Sequence, residues 1–208
     1  MYHPTIQTQL AQSLAQTQKL LQAQPQDPNV WVRCGMAQFK LGQITDSIQS
    51  FDRAEQWAPQ ITPYLWQRGL SYYYAEQFEA GVRQFEVDLT VNRQDVEETV
   101  WRLLCQTRSQ GWAVAQADLR PVSHDPRPFM ESIYRFYAGK LSAEALLALG
   151  TRSGEAGRFY THLYVGLYHE VTGETAAAQN HITIAAERYP QNDYMWYLAC
   201  VHRHLRQW

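Results

Sequence analysis

His162 and His169 lie on one face of a predicted helix, and Glu170 follows at once. Imidazoles beside a carboxylate are the raw material of a metal site or an acid–base pair. The spacing argues against both. A zinc protease sets its histidines four residues apart on one helix, where both reach the metal and a Glu between them serves as base. Seven residues is two turns, about 10.5 Å along the axis, too far for one coordination shell without other ligands. Both histidines instead fall at positions that pack one helix on the next. His202 and His204 point to different faces of the final predicted helix and make a poor chelate. Asp95, Glu97 and Glu98 cluster where a helix begins, and carboxylates there stabilise the exposed N–H groups. No phosphate-binding Walker loop, GxGxxG after a strand, GxSxG or zinc-deaminase pattern occurs. The residues therefore predict no catalytic site, no metal and no cofactor. An enzyme with a site assembled from scattered His, Asp and Glu is a distant alternative.

The bulk properties bound the class of protein. Of the 208 residues, 45% are hydrophobic and 13% aromatic, enough to bury a sizeable core in one domain or one elongated array. The formal net charge is −2, and Lys and Arg are scattered singly along the chain. That distribution predicts neither a nucleic-acid footprint nor attraction to an anionic membrane. Cys34, Cys105 and Cys200 are odd in number and lack CxxC spacing, which fits buried thiols in a reducing compartment. Met1-Tyr2-His3-Pro4 opens into a Gln-rich stretch without a basic n-region, an apolar h-region or a lipobox cysteine. No apolar run approaches the roughly 18 residues of a membrane span. A cytoplasmic protein is expected.

The elements that would carry these residues repeat. Trp31-x2-Cys34-Gly35, then Phe51, Ala54 and Pro59, is followed by Leu65-x2-Arg68-Gly69, then Tyr72 and Phe85. Gly35 to Gly69 and Phe51 to Phe85 are each 34 residues apart. A third copy reads Val165-Gly166, Ala178, Ile182, Ala185 and Pro190. Each mark has a mechanical role, because the small Gly lets two helices approach, the large side chains fill the gap, and Pro stops the second helix. This pattern resembles the tetratricopeptide repeat (TPR), W-x2-L-G-x2-Y followed by A, F, A and P over 34 residues. The resemblance implies an all-α fold, a solenoid of antiparallel helix hairpins with degenerate middle repeats and capping helices.

On that basis residues 1–208 form a single TPR-like domain. Residues 5–23 are a capping helix, with Ile6, Leu10, Leu14, Thr17 and Leu21 at helical spacing. Residues 28–61 and 62–92 are repeats, 94–157 are degenerate hairpins, 159–192 are a further repeat and 193–206 a closing helix. Within the degenerate stretch, Pro121 cuts a helix short, a helix is expected at about 128–139 and a short one at 142–149 behind Ser142. The segment Ser123-His124-Asp125-Pro126-Arg127-Pro128 is expected to be a stiff extended connector. In Arg68-Gly69-Leu70-Ser71-Tyr72-Tyr73-Tyr74, Trp101-Arg102-Leu103-Leu104 and Phe136-Tyr137-Ala138-Gly139-Lys140-Leu141 the chain is similar to the NlpI-like TPR lipoproteins of the bacterial envelope. It also resembles TPR proteins of cyanobacteria and plastids. The first of these likenesses implies adaptor behaviour, while the envelope location and partners do not carry over.

In a TPR stack, positions two, five, nine and twelve of each first helix line a concave groove. Here these are Asn29, Val32, Met36 and Phe39, then Pro63, Trp66, Leu70 and Tyr73, with Arg33 and Lys40 at the margin. The expected partner-binding groove is thus Val32, Arg33, Met36, Phe39, Lys40, Trp66, Leu70 and Tyr73, an apolar surface with cations beside it. Such a surface suits a peptide or helix of a protein partner. The Lys and Asn of chaperone-tail clamps are absent from positions five and nine. The function predicted is a non-enzymatic adaptor or assembly scaffold, and the alternative is a homodimer whose groove is filled by its twin.

Overall fold

A computed structural model describes residues 2–127 and 129–208 and is all-helical, with no strand among the described residues. The chain divides into two compact units, Met1–Val91 and Asn92–Trp208. Among the described residues no helix is long and apolar enough to cross a membrane.

The first unit holds α1 (Pro4–Ala23), α2 (Pro28–Lys40), α3 (Ile44–Trp57), a 3-10 turn (Pro59–Tyr64), α4 (Trp66–Tyr74) and α5 (Phe78–Asp88); each helix packs on the next, and the turn lies against α3 and α5. Local chemistry sets the boundaries. Asp27 caps α2 by accepting a hydrogen bond from Asn29 N at 2.8 Å, and Pro28 fills the first helical position. Gly42, at φ +74°, ends the hairpin's first helix, where its N–H donates to Phe39 O and the next N–H, of Gln43, to Gln38 O. The same pair of bonds closes α4 around Glu76, a non-glycine residue at φ +59°.

The helices meet closely at glycines. A Cβ on Gly35 would lie 3.1 Å from the Phe51 ring, and one on Gly69 only 2.6 Å from Phe85 Cζ. Phe51, Ala54 and Phe85 are buried around these crossings.

The second unit holds α6 (Val96–Gln110), α7 (Trp112–Ala117), α8 (Met130–Tyr137), α9 (Ala143–Arg152), α10 (Gly154–Val171), α11 (Thr175–Arg188) and α12 (Tyr194–Leu205). Helix α10 packs against α6, α8, α9 and α11, and α12 closes on α11. Their core joins Trp101, Leu104, Ile133, Tyr137, Leu163 and Tyr164, with the Tyr137 hydroxyl donating to Tyr164 O at 2.8 Å. Gly166 meets Ile182 across the α10–α11 hairpin, where an added Cβ would lie 2.8 Å from Ile182 Cγ1.

Helix α10 begins at Gly154, so a boundary at residue 157 would fall inside it. The reason is a second close crossing, at which a Cβ on Gly150 would sit 2.8 Å from Gly157 O, so the first turn of α10 lies directly on α9. The segment from 118 to 127 is fastened to the start of α6. Asp125 Oδ2 accepts from Val96 N, and Gln94 Oε1 accepts from Ser123 N and His124 N. Pro128, part of the expected connector and of the expected helix at 128–139, lies outside the described residues.

Candidate functional site

Helix α1 presents Leu10, Leu14 and Thr17 inward, a stripe at three- and four-residue spacing, and lays Leu14 and Leu21 on Cys34, Ala37 and Leu41. Beside that seam the two helices diverge into a cleft of about 320 Å³. From α1 it is lined by Leu10, Ser13, Gln16, Thr17 and Leu20, and from α2 by Arg33, Met36, Ala37 and Lys40. The lining mixes apolar side chains with two hydroxyls, one amide and two cations, and the buried Thr17 hydroxyl donates to Ser13 O. Burial pushes the Lys40 ammonium down from its ordinary value, and the carbonyl of Lys40 accepts from the Tyr2 hydroxyl at 2.7 Å. Gln67 of α4 reaches Met36 Sδ at 3.9 Å.

Of the eight expected groove residues, Arg33, Met36 and Lys40 meet in this cleft. Val32 and Trp66 are partly exposed but outside it. Phe39, Leu70 and Tyr73 require correction, for each is fully buried and no partner reaches them as the helices stand. Phe39 meets Tyr74 edge-on at 5.7 Å, and Tyr73 meets Tyr74 at 5.3 Å and Phe78 at 5.7 Å. The reason is angular. Each residue turns a helix by about 100°, so Val32 and Phe39 lie roughly a quarter turn away from Arg33 and Lys40. Helix α4, packed by α2, α3 and α5, buries Leu70 and Tyr73 together.

The first unit also contains an ionic network that sequence reasoning missed. Arg68 donates to Gln84 Oε1 (2.8 Å), Asp52 Oδ1 (3.0 Å) and both oxygens of Glu55 (2.8 and 2.9 Å), tying α3, α4 and α5 together. Hydrogen bonding from Arg68 holds the Glu55 carboxyl below its ordinary range. Gln84 in turn donates to Asp88 Oδ1 at 2.7 Å, while Asp88 Oδ2 is buried with no hydrogen-bond partner. Burial pushes the Asp88 carboxyl up to about 7, against the pull of Gln84 and Arg68. A signal was present: Arg68 stands where the repeat places an apolar packing residue, and a guanidinium buried there demands partners.

In the second unit the acidic cluster does more than cap. Asp95 is the cap of α6, accepting from Glu98 N at 2.9 Å. Glu97 turns inward to Arg127, which also pairs with Asp95 (3.1 Å) and Asp125 (2.7 Å). The Tyr164 hydroxyl donates to Glu97 Oε1 at 2.7 Å, and that of Tyr160 to Asp193 Oδ2 at 3.0 Å. Burial pushes the Glu97 carboxyl up to about 7 despite Arg127 and Tyr164. A carboxyl in that range suits acid–base work, yet the bonds it makes join α6, the connector and α10 into a clasp.

The histidines are rearranged by the fold. His181 of α11 comes between His162 and His169: its Nδ1 is 2.9 Å from His162 Nδ1, and its ring stacks on His169 at 5.8 Å. Burial pushes His162 down to about 4, helped by His181 and Arg188, and lowers His181 as well. Among the described residues no group of three or more His, Cys, Asp or Glu side chains is placed to hold a metal ion. The α1–α2 cleft is therefore the candidate site. Compared with protein-family profiles and with curated proteins, the chain matches none of them.

Proposed function

We propose that this chain is a TPR-type adaptor that holds a segment of a partner protein in the α1–α2 cleft and performs no catalysis. The observation that carries the reading is the cleft itself, apolar side chains interspersed with cations and hydroxyls in a volume of about 320 Å³. Such mixed, concave surfaces take side chains of a ligand while a few polar groups fix its orientation. Three features support the repeat. Gly35 faces Phe51, Gly69 faces Phe85 and Gly166 faces Ile182, each pair joining the two helices of one hairpin. The turn geometry at Gly42 recurs at Glu76 and at Gly173, where Glu174 N donates to His169 O. The large side chains of the repeat pattern fill the spaces between helices. The three thiols are free and buried, which suits the cytoplasm we assign to it.

Affinity capture with the immobilised chain tests the reading. Met36→Asp places a charge on the cleft floor and should abolish recovery of a stoichiometric partner, whereas Val114→Asp, at an exposed site of the other unit, should not. Equal recovery by both variants removes the cleft from the function. The alternative, a homodimer filling its own groove, is excluded by a sedimentation coefficient that stays monomeric with rising concentration.

A further inference from the structure

The α1–α2 hairpin is a local exception to the charge of the chain. The whole carries −2. Residues 4–40 contain Lys19, Arg33 and Lys40 against Asp27 alone, three positive and one negative, or +2. The one carboxylate is engaged as the cap of α2. Among the described residues no Asp or Glu lines the cleft, whereas Arg33 and Lys40 both do.

Their placement is regular. Arg33, Met36, Ala37 and Lys40 follow one another at helical positions i, i+3, i+4 and i+7, so the stripe reads cation, apolar, apolar, cation. The two cations are two turns apart, about 10.5 Å along the axis. On the facing wall Leu10 to Leu20 runs about 15 Å, the length of a three-turn helix. An unstrained complement to that stripe is another helix with the opposite pattern, since i, i+3, i+4 and i+7 share one face there too.

From this charge complementarity we infer that the occupant of the cleft is an acidic amphipathic helix of a partner protein, its Asp or Glu residues seven apart meeting Arg33 and Lys40 and its apolar side chains between them meeting Met36 and Ala37. The inference rests on the adaptor reading and names the chemistry of the partner.

The test is selection of binders to the full chain from an mRNA-display library of randomised 20-residue peptides, followed by fluorescence anisotropy at low and high salt. Enriched peptides are expected to carry Asp or Glu at i and i+7 with apolar residues at i+3 or i+4. Lys40→Glu, with folding checked by circular dichroism, should weaken them about tenfold. A peptide with the matching Glu→Lys exchange should recover the loss on that variant. Neutral or basic binders that are still lost on Met36→Asp overturn the acidic helix and leave the cleft as a protein-binding site. If no peptide is enriched, both readings fall.

Discussion

Asp88 shows how a single buried carboxyl bears on stability. It has one hydrogen-bonded oxygen and one without a partner, and its folded value near 7 lies well above the ordinary 3.8. The folded state therefore holds its proton more tightly than the unfolded state does. Stability from this group is fully present below about 4 and is lost as pH rises through 7. Asp88→Asn removes the buried charge, so the variant should gain about 1–2 kcal/mol at pH 8 and change little at pH 4. Urea unfolding at the two pH values checks this, and parallel pH profiles for variant and wild type would refute it. The residue is visible in the sequence only as one more acid on α5. Its environment is built by Gln84 and Arg68, the latter twenty positions away.

At the scale of elements, glycine contacts decide how closely the hairpins pack. A methyl on Gly69 would press into a buried Phe85 ring at 2.6 Å, whereas on Gly35 the nearest ring atoms stand at 3.1 Å. Alanine adds about 1 kcal/mol of helix propensity at both sites, and overpacking removes about 1–3 kcal/mol. Gly69→Ala should thus lose about 1–2 kcal/mol net while Gly35→Ala stays near neutral, as chemical denaturation of the two variants will report. If Gly69→Ala matched or exceeded wild type, the crossing would be looser than described. The α4–α5 turn offers the reverse experiment. Glu76 occupies the left-handed region that costs an L-residue about 1–2 kcal/mol, so Glu76→Gly should raise stability by roughly 1 kcal/mol. An unchanged melting temperature in Glu76→Gly would deny the strain. The glycine spacing is legible in the sequence, because a 34-residue period exposes it. The turn at Glu76 is not, since nothing in the local sequence marks a glutamate for positive φ.

For the molecule as a whole, the two units hold opposite titrating groups. In the first unit Asp88 favours the fold at low pH. In the second, His162 and His202 are both pushed down to about 4 by burial and His181 is lowered too, against Glu97 alone raised to about 7. A histidine with a depressed folded value binds its proton more readily unfolded, so its contribution is present above about 6.5 and lost as pH falls toward 4. Between pH 7 and 5 the first unit should gain hydrogen-exchange protection and the second should lose it, once intrinsic exchange rates are corrected. A common direction in both units would contradict the assignment. The sequence by itself determined that the chain is helical, because helical periodicity is a local, repeating constraint. Tertiary structure decided that Phe39, Leu70 and Tyr73 are core rather than surface and that His181 joins His162 and His169. It also decided that Asp125 accepts from the first free N–H of α6, twenty-nine residues earlier. These depend on the angle at which one helix meets the next, and the opening of the α1–α2 cleft between Arg33 and Lys40 depends on the same angle.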